Sequence, residues 1–103
     1  MRDFAAARPW YERLFGRPPD MLPMAHEAVW HLSQGGLIYV VEDPPRAGQG
    51  LLTLAVADLG ECLAGLAARG LVTEPSQDRA RVVRDPDGNL IELNHPIPME
   101  AQL

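Results

Sequence analysis

Lysine is absent from this chain, and all nine of its basic residues are arginines. We read that pattern first as composition bias, and only second as a preference for forked guanidinium contacts. Positive charge is scarce altogether. Fourteen acidic residues give a formal net charge of −5 and a pI near 5.0. That balance excludes a nucleic-acid binder, whose affinity rests on neutralising phosphates. Cysteine occurs once, at Cys62, so no intrachain disulfide and no cysteine metal cluster can form. Its place in an apolar helical pattern marks it as a buried, inert thiol. Long apolar runs are missing too. The opening MRDFAAARPWYERLFG has no signal-peptide core, and no stretch is long enough to span a bilayer. The expectation is a cytoplasmic protein with no membrane partner.

What remains is 47% hydrophobic over 103 residues, enough for one small globular domain covering 1–103. Ala7, Trp10, Tyr11 and Leu14 fall at helical spacing, which predicts a helix over Ala5 to Phe15, stopped by Gly16, Pro18 and Pro19. Pro9 either makes its first turn irregular or starts it. Ala28 to Leu32 and Leu37 to Val41 read as strands joined by a hairpin turn, Ser33-Gln34-Gly35-Gly36. A loop rich in proline and glycine, Glu42 to Gly50, follows. Leu51 to Ala57 is then a strand and Leu59 to about Arg69 a helix, with Asp58 at its start and Gly70 at its end. Leu59, Leu63, Leu66 and Ala67 form its apolar face. Arg79 to Arg84 and Leu90 to Asn94 are strands linked by Asp85-Pro86-Asp87-Gly88-Asn89, which carries turn chemistry throughout.

The first half thus reads helix, strand, strand, and the second strand, helix, strand, strand. Two copies of one module, 1–50 and 51–103, explain this order if the first lacks its opening strand. An unpaired sheet edge follows from that gap, and open edges invite a second chain. A homodimer is therefore expected.

WYERLFG, LLTLAVADLGECLAGLAARG and above all DPDGNLIEL resemble the vicinal oxygen chelate superfamily, the glyoxalase/bleomycin resistance protein/dioxygenase group. The resemblance runs from about Asp3 to His95. It implies an α+β fold of paired βαβββ modules forming a curved mixed sheet around a cup, here with the first strand of the first module missing. In the family's metalloenzymes, the ligands sit on the first strands and on the last strands of the modules. Glu92 matches the last-strand glutamate. Leu51 stands where a histidine ligand is usual, and the strand for another ligand would lie before Asp3. One carboxylate with His26, His31 and His95 as the available histidines makes a poor transition-metal site. No cofactor is expected.

Strand alternation sorts the faces. Thr53, Glu92 and Asn94 fall on mixed sides, expected to line the cup, whereas Leu52, Leu54, Val56, Ile91 and Leu93 fall on aliphatic sides suited to the helices. Tyr39, an aromatic body with a polar tip, suits a half-wet pocket. His31 can face the cup, and Trp30 belongs either to cup or to core. The candidate ligand-binding set is therefore Trp30, His31, Tyr39, Thr53, Glu92 and Asn94. For Glu92 a hydrated or arginine-paired carboxylate is the plain alternative to a chemical role. Arg79, Arg81 and Arg84 belong either to a positive rim or to a solvated strand face. Ser33 and Ser76 have no base nearby to make a nucleophile. The functional expectation is metal-independent binding of a small molecule, an antibiotic or other apolar metabolite, as in the bleomycin-resistance branch. The alternative is a glyoxalase- or dioxygenase-type metalloenzyme using Glu92 as a ligand.

Overall fold

The computed structural model describes residues 1–33, 36–76 and 80–95. The expected turn residues Gln34 and Gly35, and Arg79 at the expected start of a strand, lie outside them.

The first helix, α1, spans Phe4–Phe15. Asp3 caps it, its Oδ1 accepting from the amides of Ala5 at 3.0 Å and Ala6 at 3.4 Å. The helix runs through Pro9, and Gly16 closes it in the left-handed region at φ 78°. Phe4, Ala7, Trp10, Tyr11 and Leu14 are buried, the stripe that the spacing predicts. Three antiparallel strands follow in the order β1-β2-β3: β1 (Met21–Met24), β2 (Glu27–Ser33) and β3 (Gly36–Val41). The sequence reading missed β1. Its MLPM is short, wholly exposed and interrupted by Pro23, which an edge strand tolerates.

After a 3₁₀ turn at Pro44–Arg46 come β4 (Leu51–Ala55), α2 (Leu59–Ala68), β5 (Glu74–Pro75), β6 (Arg81–Arg84) and β7 (Leu90–Asn94). These strands form a second sheet, β4-β7-β6-β5, in which β4 pairs parallel with β7 and the other pairs are antiparallel. The two-residue β5 was also not foreseen, since so short a strand has no periodicity to read. The fold is α+β, with neither sheet closed. Leu59 and Leu66 are the buried residues of α2. Leu63 packs at the edge of the core and Ala67 is exposed, so the buried stripe is narrower than the spacing suggests.

One core joins both halves. Tyr11 and Trp30 lie with Leu66, Val83, Ile91 and Leu93, each aliphatic side chain contributing about 1.5–3 kcal/mol by leaving water. At the ends of the helices, Arg69 Nε donates to the carbonyl of Arg13 at 2.5 Å, and its Nη2 to that of Leu14 at 3.3 Å. One side chain thereby satisfies two carbonyls near the C-terminus of α1.

The hydrogen bonds bring the two halves into residue-by-residue correspondence. The amide of Val56, two residues before the helix cap Asp58, donates to Asn94 at 2.9 Å. The amine of Met1, two residues before the helix cap Asp3, donates to the carbonyl of Val41 at 2.9 Å. Met1 thus stands where Val56 stands, and Val41 where Asn94 stands. In this register Leu37-Ile38-Tyr39-Val40-Val41 matches Leu90-Ile91-Glu92-Leu93-Asn94. The amide of Asp43 returns a bond of 2.5 Å to the carbonyl of Met1, the alternation of a parallel ladder. The carbonyl of Val29 points away from β3, to the amide of Asp20, so Tyr39 opposite Val29 turns its own amide and carbonyl to the outer edge of β3. Leu37 does the same. Among the described residues, only Met1 pairs along that edge.

Candidate functional site

The turn before β7 determines where Glu92 goes. Asp85, only 5% exposed, organises it. Its Oδ1 accepts from the amides of Asp87 and Asn89, both at 2.9 Å, and its Oδ2 from Asn89 Nδ2 at 2.7 Å and the Tyr11 hydroxyl at 2.6 Å. Gly88 takes φ 91°, a region open to glycine. Asn89 Oδ1 then accepts from the Gly50 amide at 2.7 Å, which sets the start of β4 beside β7. At Gly48, with φ 85°, an added Cβ would lie 2.6 Å from the Asp87 carbonyl oxygen. Asp85 and Asn89 are therefore engaged in holding the loop, while Asp87 Oδ2 accepts from the Arg2 amide at 3.1 Å. Burial, the hydrogen bond to Asp85 and that carboxylate's charge hold the Tyr11 phenol far above the ordinary tyrosine range.

Beyond this turn the chain alternates. Ile91 and Leu93 are each 2% exposed, in the core, so Leu90, Glu92 and Asn94 look out from the opposite, open face. Register places Thr53 beside Glu92 on one flank and Val82 on the other. Ser76, whose partnership no sequence signal announces because β5 was not foreseen, donates its hydroxyl to Glu92 Oε2 at 3.1 Å. The arginines of this sheet are engaged elsewhere: Arg84 pairs with Glu74 at 3.5 Å, and Arg81 bonds Thr73 at 2.9 and 2.8 Å. Glu92 forms no ion pair among the described residues. It is a half-buried carboxylate met by one neutral donor.

The other sheet presents Tyr39, 54% exposed, with Leu37, Val41 and Met21 near it. His31, opposite Leu37, shares this face and is exposed. Trp30 does not. It pairs with Ile38, so it lies on the side away from Tyr39. Trp30 is fully buried, and its indole N–H donates to the carbonyl of Arg17 at 3.0 Å. Its alternative place in the core is the one it takes. Of the six expected residues, Thr53, Glu92 and Asn94 gather on one sheet, and His31 and Tyr39 share the open face of the other. Between the sheets, along the outer edge of β3, runs a cavity of about 400 Å³ lined by Met1, Tyr11, Tyr39, Val41 and Leu52.

Metal ligation fits this surface poorly. Among the described residues no three His, Cys, Asp or Glu side chains converge. Leu51 stands at the position where the resemblance calls for histidine, 72% exposed, and the counterpart of Glu92 in the first half is Tyr39. A tetrahedral zinc site needs about three protein donors, and this surface offers one carboxylate. Cys62, on α2, is half-buried, and burial pushes its thiol up against the opposing influence of Arg69. It lies on the helix, away from the open face.

A solved glyoxalase / bleomycin resistance protein from Catenulispora acidiphila DSM 44928 is 39% identical to this chain, with a TM-score of 0.84 over 95% of this chain and 92% of that one. The chain belongs to the glyoxalase/bleomycin resistance protein family. TnmS3, an antibiotic binding protein from Streptomyces sp. CB03234, is 27% identical at a TM-score of 0.69, covering 92% of this chain and 88% of that one. A bleomycin-binding protein solved in complex with bleomycin shares the fold at 23% identity and a TM-score of 0.68, covering 94% and 92%. No family model and no curated protein matches the chain.

Proposed function

We propose that this member of the glyoxalase/bleomycin resistance protein family is a cytoplasmic, homodimeric, metal-independent binder of a small molecule, which it sequesters in a cup built from two modules, 1–50 and 51–103. The ligand is an antibiotic or another apolar metabolite. One observation carries the reading. At matching positions of the last strands of the two halves stand a tyrosine and a lone carboxylate, Tyr39 and Glu92, with Leu51 in the place of a histidine. Such a set offers stacking, hydrogen bonds and apolar contact, which is how small-molecule sites hold organic ligands. His31, Thr53 and Asn94 complete the polar lining. The binding proteins for bleomycin and for an antibiotic among its structural neighbours support the same reading.

A second copy of the chain fits the open faces. Met21, Leu37, Tyr39, Val41 and Leu51 are between 42% and 72% exposed, large apolar side chains that a second copy would cover. Among the described residues the edge of β3 is unpaired at Leu37 and Tyr39, where a second chain could pair.

A thermal-shift screen of chelator-treated protein against drug-sized apolar compounds, bleomycin among them, tests the binding. We expect hits whose stabilisation is lost in Tyr39→Ala and reduced in Thr53→Val. A screen without hits, or hits indifferent to Tyr39, would count against the cup.

A further inference from the structure

We propose that the preferred ligand is an organic cation, with its charged nitrogen on Glu92. The inference rests on the small-molecule reading and narrows its chemistry.

The internal repeat makes Tyr39 and Glu92 equivalent positions, one on the last strand of each half. Both lie on faces turned away from the helices, and they differ in what they offer. Tyr39 presents a half-exposed aromatic ring among Leu37, Val41 and Met21, a surface for a flat apolar body. Its ring face also attracts cations. Glu92 presents a carboxylate whose described partner is the neutral hydroxyl of Ser76. Its other neighbours across the strands, Thr53 and Val82, bring no charge. Among the described residues, the arginine on this face, Arg84, is paired with Glu74. Arg81 reaches Thr73 instead. A half-buried carboxylate without a cation is costly to desolvate further. A ligand closing over it must therefore supply a positive charge, or lose affinity. An anionic ligand would meet repulsion from Glu92 and from a molecule of net charge −5.

Three acridines of nearly equal shape separate charge from apolar bulk at neutral pH: neutral acridine, cationic 9-aminoacridine and anionic acridine-9-carboxylate. Fluorescence titrations would be run on wild type, Glu92→Gln and Glu61→Gln. The last removes the same charge from the exposed first turn of α2, and matched unfolding midpoints would establish that each variant folds. We expect 9-aminoacridine to bind wild type at least about tenfold more tightly than acridine-9-carboxylate. Glu92→Gln should abolish most of that preference while keeping affinity for acridine, and Glu61→Gln should leave it intact. Equal affinity for all three acridines would overturn the cation inference and leave small-molecule binding standing. So would a preference that survives in Glu92→Gln or disappears equally in Glu61→Gln. Failure of all three to bind wild type would count against both.

Discussion

Removing one oxygen from Tyr11 tests how the DPDGN turn is held. In Tyr11→Phe, Asp85 Oδ2 keeps Asn89 Nδ2 and loses its shortest bond. A buried, charge-assisted hydrogen bond left half-made costs about 1–3 kcal/mol. We expect a denaturant midpoint lowered to match, with an unchanged m-value. The pH dependence carries a second signature. The folded-state pKa of Tyr11 is raised above the ordinary 10.0, so the folded state keeps a proton that the unfolded state releases. The corresponding stability is fully present below 10.0 and is lost as pH rises above it. Wild type should therefore lose stability with alkalinity more steeply than Tyr11→Phe; parallel alkaline slopes would refute the account. Gly48→Ala makes a complementary case, since a Cβ there meets backbone at a positive φ. A loss of about 1–3 kcal/mol is expected, read as a lower unfolding midpoint. At this scale the sequence is informative about local chemistry and silent about partners. The residues of DPDGN announce a turn, because aspartate, glycine and asparagine each bond or bend their own backbone. Nothing in them announces Tyr11, which arrives from 74 residues away. Glu92 was legible as an outward carboxylate by alternation, and the Ser76 contact was not, because the strand that brings Ser76 there is two residues long.

Among the elements, the outer edge of β3 is the most instructive. The helices and longer strands were legible because their apolar periodicity reports burial directly. β1 and β5 were not, because exposed or two-residue strands bury no periodic face. Trp30 illustrates the remaining ambiguity. Alternation puts Ala28 and Trp30 on one side of β2, but only packing against Tyr11 and Phe15 of α1 makes that stretch core. Leu32, further along the same side, is exposed. Among the described residues the outer edge of β3 is unpaired beyond Met1, whereas its equivalent in the second half is covered by β4.

For the whole molecule, the exposed surface carries the prediction. The radius of gyration is 14.0 Å, close to the roughly 13 Å expected for a compact domain of this size. No helix of the described residues is long and apolar enough to cross a membrane. The apolar open faces lie outside the core that the two helices share. A second copy would cover them, and light scattering coupled to size exclusion should report twice the chain mass at micromolar concentration. Tyr39→Lys, placing a charge on the open face beside the edge of β3, should shift that population towards monomer. A wild type that stays monomeric would leave the cup to a single chain.

The most direct test of metal-independent binding is the unfolding midpoint of chelator-treated wild type and Glu92→Ala, measured alone and with Zn²⁺, Ni²⁺, Mn²⁺ or Fe²⁺. A ligand of the folded state present at a hundred times its Kd adds about 2.7 kcal/mol, several degrees in a domain of this size. We predict no metal-dependent rise in either protein, alongside a rise in wild type with the organic hits of the screen. A wild-type rise with one of these metals that disappears in Glu92→Ala would contradict the account and make Glu92 a metal ligand.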